Sequence, residues 1–257
     1  MHFDWAYFWQ QLIHPDGAFL VGLWLTILVS LCGQAIGLAI GLPMALARLS
    51  RSKLLSWAAR GYILVMRGTP LLVQIVFIYT GLAAADLVRF HDWHAGPFSL
   101  AGNVQAGILA LGLNEGAYMA EIFRAGITAV DRGQTEAAKA LGMPPAMILR
   151  RIVLPQALRI VLLPIGNQFN IMLKNSTLVS VIGVSEMLLV TETINSATFR
   201  TFELYSVLAL YFLVLTSIWS LVLRWIERRM DAERDHPGAA RAEGAAIVDP
   251  VLSEVSP

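Results

Sequence analysis

The chain has 257 residues, 56% of them hydrophobic and only 14% charged, with a mean hydropathy of +0.62. An average soluble domain is about 25% charged, so the composition excludes a soluble globular enzyme, a disordered chain and a nucleic-acid binder. The net charge of +1 says little about partners, and one cysteine, Cys32, excludes an intrachain disulfide or a thiolate metal cluster.

Residues 3–13 place Trp5, Phe8, Trp9 and Leu12 at helical spacing, so 1–16 is expected to lie in the outer membrane interface. No cleavable leader is expected, because Asp4 and Trp5 replace a basic start. A membrane-crossing helix needs about 20 mostly apolar residues. Residues 17–47 carry no charge and form the first expected span. Gly33, Gly37 and Gly41 follow one another at four-residue spacing, which lets helix backbones approach closely, either within a bundle or at a dimer contact. The uncharged run 68–85 is the second expected span. His91, Asp92 and His94 read as a solvated loop rather than a metal site. A third span, 101–127, is interrupted by Glu115, Glu121 and Arg124, and Gly112 and Gly116 repeat the small-residue spacing. The fourth is 155–174, and the run 175–185 is too short to cross, reading as a re-entrant or surface helix. The fifth is 204–223. Residues 231–257 turn to Ala, Gly, Pro and charge and are expected to be a disordered cytoplasmic tail. No internal repeat is visible, so the inverted-repeat plan of many secondary transporters has no support.

The expected fold is therefore all-α and polytopic, with five transmembrane helices. Basic residues orient it. Placing the first loop, the third loop and the C-terminal tail inside puts fourteen Lys and Arg there, against Arg89, Lys174 and Arg200 outside. The N-terminus is then out and the C-terminus in.

The third loop, 131–155, is the most informative segment. Residues 135–141 are rich in helix formers, with Gln134 or Thr135 available as a cap. Gly142 suits the left-handed position that ends a helix, and Pro144 and Pro145 set a turn. A second short helix over 146–153 then ends at Pro155. This compact helix–turn–helix is either a docking knob for a soluble partner or an ordinary amphipathic loop.

Glu136-Ala137-Ala138, then Gly142, then Ile152-x-Leu154-Pro155 resembles the EAA loop of ABC-type importer permeases. RGTPLLVQ at 67–74, GAYMAEIFR at 116–124, LPQALR at 154–159 and LKNSTLVSVIG at 173–183 are similar to the polar amino-acid uptake permeases of the histidine/glutamine/arginine type. The resemblance covers about residues 15–230. It implies a permease domain over 17–230, in the plasma membrane of a prokaryote. It also implies that Glu136, Ala137, Ala138, Gly142, Met143 and Pro144 form coupling helices seated in a groove of a separate ATP-hydrolysing subunit. The implied partners are a second permease chain, two ATP-binding cassette subunits, an extracytoplasmic amino-acid-binding protein and membrane lipid, with no nucleic acid. ATP belongs to the partner: this chain has no phosphate loop, no readable nucleophilic triad and no expected cofactor or metal, so it is not expected to be an enzyme. The alternatives are a channel or secondary transporter not coupled to ATP, and a membrane anchor for a soluble complex.

Ionisable groups inside a span are candidate functional sites. Glu121 has Arg124 at i+3 and reads as a structural ion pair. Glu115 has no cation within its own helix. Asn167, Asn170 and Lys174 form one polar stripe, facing either a water-filled path or a partner helix. For the zwitterionic substrate the resemblance implies, Glu115 would take the ammonium and Lys174 the carboxylate. Asn175, Ser176, Thr69 and Tyr118 would supply neutral hydrogen bonds. Many relatives carry an acid after this lysine; Asn175 in its place favours a neutral or acidic amino acid over a dibasic one.

Overall fold

The computed structural model describes residues 3–96 and 98–234. In chain order it runs α1 (Trp5–Ile13), α2 (Gly17–Leu49), α3 (Lys53–Gly68) and α4 (Leu71–Val76), then a π-helical turn (Phe77–Gly81) and α5 (Leu82–Ala84). A short antiparallel hairpin, β1 (Trp93–Ala95) and β2 (Phe98–Leu100), sets Trp93 opposite Leu100. There follow α6 (Gly102–Ala129), α7 (Arg132–Ala140) and α8 (Pro145–Ile148), a second π-helical turn (Leu149–Val153) and α9 (Leu154–Asn175). A 3₁₀ segment (Ser176–Ile182), α10 (Met187–Thr198) and α11 (Thr201–Arg234) complete the described chain. The backbone of α11 is helical past position 231; the rest of the expected tail, 235–257, lies outside the described residues.

Two helices are long and apolar enough by themselves to cross a membrane: α2, and α11 over Thr201–Met230. Two bent pairs raise the number to as many as four. The expected second span at 68–85 contains the helical stretch Leu71–Ala84, which α3 meets at 106°. The cause is local. Pro70 has no N–H, and Thr69 before it is driven into extended backbone, φ −116° and ψ 147°. In the second pair, Pro145–Ile182 meets Met187–Thr198 at 53°. The run 175–185, expected as a separate re-entrant or surface helix, instead prolongs α9 as the 3₁₀ segment and stops at Gly183, which sits at φ +78°.

The bundle is organised around α6, which packs along α2 and also touches α3, α4 and α9. The α2–α6 contact is built from glycines. A Cβ on Gly37 would stand 2.5 Å from Glu115 Cγ, one on Gly41 2.3 Å from Met119 Cβ, and one on Gly33 3.2 Å from Leu111 Cβ. In return Gly112 and Gly116 receive Ile36 and Ile40, at 2.5 and 2.8 Å from the positions their own Cβ atoms would take. Of the two readings open for the four-residue glycine spacing, packing within the bundle is the one observed. Small-residue contacts of this kind hold helices together where the surrounding lipid is as apolar as the side chains.

At the other end of the chain α1 is tied to the start of α11. Asp4 donates its backbone N–H to Glu203 at 2.7 Å, its carboxylate pairs with Arg200, and Tyr211 Oη donates to the Leu12 carbonyl at 3.0 Å. The N–H of Tyr7 and the Arg200 guanidinium hold the Asp4 carboxyl below the usual carboxylate range. Beyond Thr216, α11 turns from apolar to charged at Arg224, and the Arg229 guanidinium lies 4.3 Å from the centre of the Trp225 ring.

Because its Cβ would overlap Glu115, 2.5 Å from Cγ, Gly37→Val should lower unfolding stability in detergent by about 1–3 kcal/mol. Gly17→Ala, with nothing within 4 Å of the new methyl, should leave the unfolding midpoint unchanged.

Candidate coupling knob and intramembrane polar site

The loop between α6 and α9 folds as a knob on an apolar base. Asp131 accepts the Gly133 N–H at 2.7 Å and starts α7 at Arg132, so Gln134 and Thr135 lie inside the helix rather than capping it. Gly142 takes the left-handed conformation, φ +76°, and its N–H closes on the Lys139 carbonyl at 2.9 Å while Met143 N–H reaches Ala138 at 3.1 Å. Pro145 opens α8, where its missing donor costs nothing. The second helix does not end at Pro155, as expected, but runs on into α9. The preceding π-helical turn, in which Leu154 N–H reaches the Leu149 carbonyl, accommodates that proline.

Ala138 faces inward and packs with Val130, Ile148, Val153 and Ala157, and Met143 leans on the same cluster. Glu136, Ala137, Gly142 and Pro144 face outward. Between them Leu141 is 82% exposed, a large apolar side chain at the tip of a polar loop. Rigid, small-residued and apolar at its apex, the knob has the features of a docking element.

The intramembrane candidates separate into two places. Glu115 is 2% exposed, enclosed by Gly37 of α2 and by Gln168 of α9, which donates to its Oε2 at 3.3 Å. The other oxygen, Oε1, is buried with no partner among the described residues. Lys174 lies six residues beyond Gln168, about 9 Å along α9, and is exposed. No ion pair joins it to Glu115 among the described residues. Asn175 is half-buried beside it, and Ser176 is fully buried with its hydroxyl donating to Leu173 at 2.7 Å.

Thr69 and Tyr118 belong to neither place. Thr69 sits at the 106° bend, where its hydroxyl donates to Val65 at 2.8 Å and accepts from Gln74 at 2.7 Å. The ring of Tyr118 lies 5.1 Å beneath the Arg67 guanidinium. The Glu121–Arg124 pair is present at 2.9 Å, and Glu121 also pairs with Arg48 on α2.

Three polar residues went unread in the sequence. Gln74 Nε2 donates to the carbonyls of Met66 and Thr69, at 2.9 and 3.1 Å, and Asn114 Nδ2 donates to Met66 and to Gln74 Oε1, at 2.9 and 3.0 Å. Together they satisfy backbone groups freed by the break at Pro70. A buried amide facing a proline-broken helix is the signal that points to them. The third, Glu186, is fully buried and caps α10 by accepting the N–H groups of Leu188 and Leu189 at 2.9 and 3.0 Å. Asp92, next to His91 and His94, accepts the Gly102 N–H at 2.8 Å and so holds the start of α6.

A bundle of bent, apolar helices around buried polar groups, carrying an exposed rigid knob, is the design of a membrane transport subunit. The family of binding-protein-dependent transport system inner membrane components matches residues 37–232, and the chain belongs to it. The chain is 36% identical over 230 residues to the glutamine transport system permease protein GlnP of Escherichia coli (strain K12), spanning 90% of this chain and 99% of that one. It is 39% identical over 238 residues to the octopine transport system permease protein OccM of Rhizobium radiobacter, spanning 89% and 93%. Among solved structures, one described as an amino acid ABC transporter with histidines is 39% identical, with a TM-score of 0.77 over 89% of this chain and 100% of that one. Permeases of this family are channel-forming, non-enzymatic subunits, and in the homologous systems the ATPase is a separate chain.

Gln74→Ala removes the shared partner of Thr69 and Asn114. It should cost about 1–3 kcal/mol of unfolding stability, whereas Gln10→Ala on the exposed face of α1 should leave the midpoint unmoved.

Proposed function

We propose that this chain is the pore-forming half of an ATP-driven importer of polar amino acids in a prokaryotic cytoplasmic membrane. The knob carries the reading. Its apolar apex at Leu141, its left-handed Gly142 and its packed base at Ala138 fit a soluble partner's groove and suit transmission of rigid-body motion. Glu136, Ala137, Gly142 and Pro144, on the outer face, are the proposed contact with an ATP-binding cassette subunit, and Ala138 and Met143, packed into the base, hold that face in place. Five membrane crossings with the N-terminus out, supported by the distribution of Lys and Arg, put the knob on the cytoplasmic side. A second permease chain completes the path, two ATPase subunits dock below, and an extracytoplasmic binding protein delivers substrate.

Relatives named for glutamine and octopine support a substrate carrying both an amino and a carboxylate group. Lys174 is the proposed carboxylate partner and Glu115 the ammonium partner, with Asn175 and the buried Ser176 beside Lys174, while Thr69 and Tyr118, set apart at the bend and under Arg67, are proposed as separate neutral contacts. In the conformation described, Glu115 is closed in by Gly37 and Gln168, so this role requires α9 to shift against α2 during the cycle.

Proteoliposomes holding the assembled complex should accumulate glutamine only with internal ATP and binding protein. Leu141→Asp should cut uptake at least tenfold by weakening ATPase docking, with the permease fold intact by circular dichroism; unchanged uptake contradicts the docking role. Lys174→Met and Glu115→Gln should each abolish uptake while basal ATPase activity persists. Survival of transport in both variants removes them from the substrate route.

A further inference from the structure

We propose that the arginine-lined pocket at the end of α2 binds the phosphate group of an anionic phospholipid. Arg48, Arg60, Arg67 and Glu121 line a pocket of about 450 Å³, with Ile63 and Leu64 completing its wall. Glu121 is the only carboxylate in it. One of its oxygens pairs with Arg48 and lies 4.0 Å from Arg67, and the other receives Arg124 Nε at 2.9 Å. Three guanidinium groups against one carboxylate leave the lining an excess of two positive charges, Arg124 adds a third from beside Glu121, and Arg60 has no ion pair among the described residues. The side chains of Arg48 and Glu121 are 28% and 19% exposed, so solvent screens this excess less than it would on an open surface. Planar guanidinium forks suit an anion that presents several oxygens at once, and phosphate is such an anion.

The position selects the source of the phosphate. Arg48 is the first charge after the charge-free run 17–47, so the pocket opens where the span leaves the hydrocarbon. On α3 the side chains of Leu54, Trp57, Leu64 and Val65 form one exposed apolar stripe, and Arg60 and Arg67 flank it. Trp57 and Leu64, 72% and 73% exposed, face a medium that welcomes apolar surface, and tryptophan favours the headgroup level. An apolar stripe edged by arginines matches a phosphate attached to acyl chains. Free phosphate would satisfy the arginines and leave the stripe unused.

The test is native mass spectrometry of the full-length chain, purified in detergent, delipidated and titrated with phosphatidylglycerol or phosphatidylcholine. The wild-type chain should retain one phosphatidylglycerol in preference to phosphatidylcholine, and 5 mM inorganic phosphate, a roughly physiological concentration chosen to challenge the site, should not displace it. Arg60→Gln, at an exposed and unpaired side chain, should weaken phosphatidylglycerol binding about fivefold. Leu64→Asp, which keeps every arginine, should weaken it comparably by repelling the phosphate and spoiling the acyl contact. Lys53→Gln, on the same helix outside the pocket, should have no such effect. Equal retention by wild type, Arg60→Gln and Leu64→Asp overturns the site. Displacement by inorganic phosphate overturns the lipid and assigns the pocket to a soluble anion.

Discussion

The close approach of α2 to α6 is the constraint on which the rest of the molecule depends. Glycines at 33, 37 and 41 let Leu111, Glu115 and Met119 lie against the α2 backbone, and Gly112 and Gly116 take Ile36 and Ile40 in exchange. Lipid supplies little hydrophobic drive for helices to associate, so association has to come from close packing and interhelical polar contacts. This contact has both. The glycines bring the backbones together, and the same approach lets the Arg48–Glu121 pair form between the two helices. It also encloses Glu115, which could not face lipid at an acceptable cost.

Around that fixed pair the remaining elements are bent rather than straight. Pro70 breaks the second helical run, and Gln74 and Asn114 take up the backbone carbonyls of Met66 and Thr69 at the break. On the other side of α6, the π-helical turn before Pro155 carries the knob directly into α9. The helical path is unbroken from Pro145 to Gln168, which donates to the Glu115 carboxyl, while Leu141 and Gly142 precede it across the turn at 141–144. The proposed coupling role rests on this connection, in which the second limb of the knob is continuous with the helix that covers the buried carboxyl.

Much of this was legible in the residues. The charge-free run at 17–47 marks α2, the glycine spacing marks a close helix contact, and Gly142 with Pro145 marks the turn of the knob. What escaped was set by partners distant in sequence. Residues 68–85 are largely apolar, and nothing in their hydropathy shows that the chain turns by 106° where α3 gives way to them; Pro70 carried the signal but its direction depends on the α6 amide that receives the freed carbonyl. The start of α7 moved to Arg132 because Asp131 out-competes Gln134 and Thr135 as a cap, a choice made by a carboxylate accepting one N–H at 2.7 Å. Glu115 and Lys174 stand out in the sequence as ionisable groups among apolar neighbours, but their spacing does not: Lys174 lies about 9 Å along α9 beyond Gln168, the residue that reaches Glu115. Charge content reveals which groups are unusual, but depth and facing come only from the packing.

A double-mutant cycle between Gly41 and Met119 tests the central contact most directly. Gly41→Ala places a methyl 2.3 Å from Met119 Cβ, and Met119→Gly removes the atom it strikes. Unfolding in detergent should show each single variant destabilised and the double variant less so than their sum, by at least about 1 kcal/mol. Losses that simply add would mean that the two helices do not meet there, and the account built on their approach would be contradicted.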